Sequence, residues 1–207
     1  MTMIFPSRMF RVTAPLVLAS NSPRRKEFLC QMGIDCRVVG PPDDAEPLPL
    51  AGELPEKFVA RAAKAKADAV YDLLDEKNVA VLGADTVVFR DGLVLGKPAD
   101  AAEALVFLRS LAGKDHYVRT ACYLRIGPDK GIPFHGEAKV SMGDWPEDVL
   151  RAYAKSGEGL DKAGAYAVQG LGAFLVESVA GSWSAVIGLP VAETLGVLLE
   201  QKLIAVA

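Results

Sequence analysis

Ser20, Ser22, Arg24 and Arg25 crowd into the stretch Leu18-Ala-Ser-Asn-Ser-Pro-Arg-Arg-Lys26. Residues 15–19 read as a short buried strand, Ser22 as an N-cap, Pro23 as the first helical residue, and residues 24–31 as a helix that Gly33 ends. Arg24, Arg25 and Lys26 then occupy the positive end of the helix dipole, where each cation costs on the order of 0.3–1 kcal/mol. A bound anion reverses that sign. Helix-start N–H groups, two serine hydroxyls and two guanidinium forks would together cradle a polyphosphate. On this reading, removing either arginine leaves the unliganded protein as stable as before. Taken alone, the segment is equally a solvated basic turn.

Asp85 lies in Gly83-Ala-Asp-Thr86, which follows a buried-type strand at residues 79–82 and reads as a turn. A carboxylate emerging at the carboxyl end of a strand stands where α/β proteins bind ligands. It is suited to hold Mg2+ or to take a proton from water, or simply to close a turn with Thr86. Lys97, in Gly-Lys-Pro, is a phosphate ligand or a surface lysine. The chain has no P-loop spacing. Asp161 and Lys162 open Asp161-Lys-Ala-Gly-Ala-Tyr-Ala-Val-Gln-Gly170, in which the Gln169 amide could read a base edge or sit in a loop. Asp43, Asp44 and Glu46 form either a metal-binding cluster or a solvated acidic loop. His116 reads as a strand residue, and Trp183 as packing.

The elements that must position these groups follow from spacing and turn chemistry. A strand is expected at residues 34–39 and an irregular, proline-rich loop at 40–49. Residues 54–74 have helical spacing, with Phe58, Ala62, Ala65, Ala69 and Leu73 on one side and Arg61 and Lys66 on others. Residues 87–95 read as a hairpin turned at Asp91-Gly92, and 101–111 as a helix. A second strand pair is expected at 117–126 and 134–142, with further helices at 146–155 and 191–203. Between those helices, residues 157–190 are glycine-rich yet apolar, a composition suited to backbone held close to a ligand or another segment. Alternating helices and strands indicate a mixed-sheet α/β or α+β fold.

Length and charge narrow the function classes. The 207 residues suit a single domain, with residues 1–14 as an N-terminal extension. A net charge of −3 argues against nucleic-acid binding, which needs a broad basic surface. One local basic cluster suits a small anionic ligand better. Cys30, Cys36 and Cys122 are too few and wrongly spaced for a zinc cage or a disulfide framework, which points to a reduced, cytoplasmic setting. No stretch reads as a signal peptide or a membrane span.

Six motifs in order, Ser20-Asn-Ser-Pro-Arg-Arg25, Gly83-Ala-Asp-Thr-Val-Val88, Leu95-Gly-Lys-Pro98, Asp161-Lys-Ala-Gly-Ala-Tyr166, Gln169-Gly170 and Gly188-Leu-Pro190, make the chain resemble the Maf family of nucleoside triphosphate pyrophosphatases from about Leu16 to Leu199. The resemblance implies an inosine-triphosphate-pyrophosphatase-like fold: an elongated mixed sheet, flanking helices and a cleft between two lobes. It also implies hydrolysis of a nucleoside triphosphate to the monophosphate and pyrophosphate. That reaction calls for an activated water and for a divalent metal, Mg2+ with Mn2+ or Co2+ as alternatives. Asp85 matches the family's proton acceptor and metal ligand. Ser20, Arg24, Arg25, Lys66 and Lys97 match polar and cationic positions of its triphosphate site. Asp161-Lys162 and Gln169 look like the subgroup acting on dTTP and UTP, with positions matching Arg24, Thr86 and Gln169 linked to base choice. A homodimer is compatible with the resemblance.

Three positions depart from the family pattern. Ala45 stands where a second acid is usual, which leaves Glu46 or Asp44 to supply the metal ligand. Gly143 replaces a common Arg, and Ala185 a frequent Asn. Loss of the acid would favour a different class of function, a nucleotide-binding regulator of septum formation with weak or no hydrolysis.

Overall fold

The structure, a computed structural model, describes residues 8–76 and 78–207. The chain runs β1 (Phe10–Val12), β2 (Leu16–Ala19), α1 (Pro23–Gln31), β3 (Arg37–Val39), a 3₁₀ turn (Asp43–Ala45), α2 (Pro55–Leu73), β4 (Ala80–Arg90), β5 (Leu93–Leu95), α3 (Ala101–Leu111), β6 (Asp115–Ile126), β7 (Gly131–Met142) and α4 (Glu147–Ser156). Two 3₁₀ segments (Ala163–Ala165 and Gly170–Leu175), β8 (Val176–Gly181), α5 (Trp183–Ile187), α6 (Val191–Glu200) and β9 (Ile204–Val206) complete it. The main sheet is mixed, in the order β3-β2-β4-β6-β7-β8 with β5 added beside β4. Strand β2 is parallel to both β3 and β4, and the remaining pairs are antiparallel. This is the mixed α/β architecture expected from the alternation of elements. No helix among the described residues is long and apolar enough to cross a membrane.

Part of the segment read as an N-terminal extension belongs to the fold. Residues 10–12 pair antiparallel with β9, and Phe10 is buried against the core that holds Leu18, Leu29, Leu82 and Leu198. A second core, around Leu108, Val118, Val140, Leu150 and Leu175, fills the other end of the long strands.

The Gly83-Ala-Asp-Thr86 segment is strand rather than turn. Strand β4 passes straight through it, because β6 supplies unbroken partners from Ala80↔Ile126 to Phe89↔Tyr117. The reversal comes later, at Asp91 and Gly92, whose φ values of 51° and 78° suit a tight hairpin. Gly83 has another task. A Cβ there would lie 2.4 Å from the Ala63 carbonyl oxygen and 2.8 Å from the Ala67 nitrogen, so its bare backbone lets α2 rest directly on the sheet.

That close approach selects which face of α2 is buried. Val59, Ala62, Ala63, Lys66, Ala67, Val70 and Tyr71 face inward, whereas Leu73 is 61% exposed, so of the expected stripe Phe58, Ala62, Ala65, Ala69 and Leu73 only Ala62 is fully buried and the packed face is turned toward Lys66. An alanine-rich helix offers several nearly equivalent stripes, and contact with Gly83 favours the one that sets the small residues Ala63 and Ala67 against the strand. Lys66 thereby enters the buried face. Gly83→Ala should destabilise the protein by about 1–3 kcal/mol, because the new methyl group meets backbone rather than a yielding side chain. Chemical denaturation of the variant checks this, and an unchanged midpoint would contradict the packing described.

Candidate active site

Strand β2 pairs with β4 only as far as Ala19↔Gly83, and β5 begins on the same edge only at Leu95↔Val88. Residues 84–87 therefore have no strand partner on that edge. A cavity of about 990 Å³ opens at this gap, between the two cores. Successive side chains of a strand point to opposite faces, and the gap lets both Asp85, on the α2 face, and Thr86, on the other, reach one space. The cleft expected from the family resemblance is this cavity.

On the α2 face, Lys66 Nζ lies 2.6 Å from Asp85 Oδ1 and 2.9 Å from Glu46 Oε2. Lys66 and Asp85 are both buried, while Glu46 is half exposed at the cavity rim. Burial works to raise the Glu46 carboxyl, but the hydrogen bond from Lys66 and the charges of Lys66, Lys97 and Arg25 hold it below its ordinary value. The 3₁₀ turn at Asp43–Ala45 brings Glu46 inward past Ala45. Asp44 does not line the cavity, and Asp43 does, so of the two acids expected to replace the missing one only Glu46 is placed to act. Among the described residues no cluster of three His, Cys, Asp or Glu side chains is assembled.

On the other face, Arg25 is a strut. Its Nε donates to the Gly188 carbonyl at 2.7 Å, Nη1 to Ser20 Oγ at 3.0 Å and Nη2 to Thr86 Oγ1 at 3.0 Å. Thr120 lies directly across from Thr86 in β6 and bonds to the Ala185 carbonyl at 2.6 Å. A hydroxyl has one proton, so Thr86 must donate to Thr120 across their 2.8 Å contact while accepting from Arg25. One directed chain thus joins α1, β4, β6 and α5. Burial pulls the Arg25 guanidinium below its ordinary value, with nearby Asp85 opposing the change. Ala185 acts here through its backbone, which makes the side chain at that position immaterial to the chain of bonds.

Ser20 Oγ also accepts the Ser22 N–H at 3.1 Å, while Ser22 itself makes no side-chain cap and α1 has no acid in its first turn. Among the described residues, Arg24 pairs with the exposed Asp161, at 3.6 Å. Lys97 and Gln169 are exposed at the cavity, and Lys162 bonds to Asp161 and to the Glu158 carbonyl, both at 2.5 Å. The structure therefore gathers Ser20, Arg24, Arg25, Glu46, Lys66, Asp85, Thr86, Lys97, Asp161, Lys162 and Gln169 around one space. Gly143 is remote from it, since its N–H bonds to Leu175 in the second core. His116 is a fully buried strand residue, as expected, with Nε2 2.7 Å from the Tyr166 hydroxyl. Trp183, expected to pack, is 47% exposed. Thr120, Tyr153 and Glu158 escaped sequence reading because none carries a local signature. Each acts across the fold or on the backbone of a later segment.

These contacts correct the expectation that both arginines are dispensable without ligand. Arg25→Ala should lower the stability of the unliganded protein by roughly 1–3 kcal/mol, because it strands the partners of three charge-assisted hydrogen bonds. Arg24→Ala should change it by less than about 0.5 kcal/mol, since an exposed pair contributes little. Thermal melts of both variants without nucleotide check the difference, and equal melting temperatures would refute it.

Residues 15–201 match the family described as Maf-like protein. Similar curated proteins include a dTTP/UTP pyrophosphatase of Nitratidesulfovibrio vulgaris, 50% identical over 192 residues that cover 93% of this chain and 90% of that one. Another is a dTTP/UTP pyrophosphatase of Thermus thermophilus, 46% identical over 185 residues covering 89% and 93%. Among solved structures, the Staphylococcus aureus Ham1 protein is similar over 63% of this chain and 72% of its own, with 18% identity and a TM-score of 0.41. The matched region begins just before β2, ends just after α6 and takes in every residue that lines the cavity, so the chain belongs to the Maf-like protein family.

Proposed function

We propose that this protein hydrolyses dTTP, UTP or related pyrimidine nucleoside triphosphates between the α and β phosphates, releasing the monophosphate and pyrophosphate with the help of a divalent metal. The observation that carries this reading is the pairing, in one cavity, of two converging carboxylates with a cationic helix start. The names of the similar proteins support the nucleotide class.

The chain's own residues divide the work by position. Arg24, Lys97 and the open first turn of α1 face the cavity and would balance the polyphosphate charge. Asp85 is the base that would take the proton of the attacking water, and the hydrogen bond from Lys66 Nζ to Oδ1 fixes its orientation. Asp85 and Glu46 are hard oxygen donors already drawn together, which fits Mg2+, an ion that keeps several waters and binds through one or two carboxylates plus substrate phosphates; Mn2+ or Co2+ would be alternatives. Such an ion would screen the phosphate oxygens at the reacting centre. Gln169, with Asp161 and Lys162, would face the base.

Incubating the purified protein with Mg2+ and a panel of triphosphates, then measuring pyrophosphate and monophosphate, tests the reading. Pyrophosphate from UTP and dTTP is expected. Inorganic phosphate as the product would overturn the site of cleavage, and saturable binding without turnover would favour a nucleotide-binding regulator instead. Asp85→Asn should lower turnover by more than ~10²-fold while Lys66 keeps Glu46 as a partner and the protein stays folded. Glu46→Ala should raise the metal concentration needed for half-maximal activity, and Asp44→Ala should leave it unchanged. Identical metal titrations for the two variants would remove Glu46 from the site.

A further inference from the structure

The tetrapeptide ending at Gly170 is held from both sides by two side chains that bond to each other. The Tyr153 hydroxyl, on α4, accepts the Ala167 N–H at 3.1 Å and donates to Glu158 Oε2 at 2.9 Å. The Glu158 carboxylate accepts the N–H groups of Leu171 at 2.8 Å and Gly172 at 2.7 Å. Between these anchor points lie Val168, Gln169 and Gly170. Gly170 has φ of +75°, and a Cβ on it would stand 2.4 Å from Glu158 Oε1, so the backbone conformation and the place of the carboxylate both call for glycine here. The Glu158 carbonyl also accepts from Lys162 Nζ. A single residue thereby connects the Asp161-Lys162 pair to the segment that carries Gln169.

We propose that Glu158 and Tyr153 are a positioning pair that sets where the Gln169 amide meets the nucleobase. This rests on the reading that Gln169 contacts the base. An amide on an exposed loop recognises a base edge only if its backbone is fixed, because otherwise binding must first order the loop. Here a carboxylate at the start of a 3₁₀ segment satisfies N–H groups that the turn leaves open, which orders the loop before substrate arrives. Burial raises the Tyr153 hydroxyl and so keeps it protonated as a donor.

Three variants test the pair: Glu158→Gln, which puts an NH2 group against at least one donor, Tyr153→Phe, and Gln169→Ala. The two readouts are the KM for UTP and inhibition by inorganic tripolyphosphate, which has no base. Glu158→Gln should raise the KM for UTP about tenfold, the worth of roughly one hydrogen bond, while leaving the tripolyphosphate inhibition constant unchanged. Gln169→Ala should do the same, and the double variant Glu158→Gln/Gln169→Ala should be no worse than either single one. If Glu158→Gln fails to fold, Tyr153→Phe carries the test, with a smaller rise in KM and the same unchanged inhibition. A KM shift for Gln169→Ala with none for Glu158→Gln or Tyr153→Phe overturns the positioning role alone. No shift for Gln169→Ala overturns base contact by Gln169, and the positioning role with it. Parallel loss of tripolyphosphate inhibition in Glu158→Gln also overturns the proposal, since the defect would then extend to the phosphate cradle.

Discussion

The site depends on a buried ion pair between neighbouring elements, Lys66 on α2 and Asp85 on β4, 2.6 Å apart. Two charges taken out of water are tolerated only when each has a well-placed partner, and Lys66 has a second one in Glu46 at the cavity rim. The pair can form because α2 lies closer to the sheet than a side chain at position 83 would permit. Gly83, the small-residue face of α2 and the placement of Lys66 are therefore one constraint. It ties the acid expected to do the chemistry to the packing of the protein.

The cavity owes its location to an interruption in hydrogen bonding along one edge of β4. Where β2 has stopped and β5 has not begun, both faces of the strand open onto the same space. The Asp85 side of that space is organised by charge, and the Thr86 side by a directed chain of hydrogen bonds from Arg25 to the Ala185 carbonyl. This resolves the unfavourable run of cations at the start of α1. Arg25 spends its donors on oxygens from three other parts of the fold, while Arg24 is left beside an exposed acid and the cavity.

Two irregular segments complete the arrangement. The acidic loop has an alanine at position 45, yet its short 3₁₀ turn delivers the next carboxylate, Glu46, to the Lys66 ammonium. The glycine-rich segment near residue 170 is held by Glu158 and Tyr153 at the start of its short 3₁₀ turn. Both segments are polar or apolar by composition in ways that leave their paths open. Their conformations are set by which charged side chain they meet.

The sequence by itself determined the elements whose signals are local: the start of α1 at Pro23, the hairpin at Asp91-Gly92, the helix at residues 101–111, and the ordered motifs whose residues line the cavity. Periodicity and turn chemistry act within a few residues, so they can be read along the chain. Tertiary structure decided the rest. Gly83-Ala-Asp-Thr86 is strand because a distant strand pairs with it, and α2 buries Lys66 because Gly83 selects one of several alanine-rich stripes. Arg25 is a strut and Glu46, not Asp44, reaches the cavity, because the partners that distinguish these residues lie on other elements. Pairing and close approach between remote segments leave no spacing pattern in the sequence that local reading can detect.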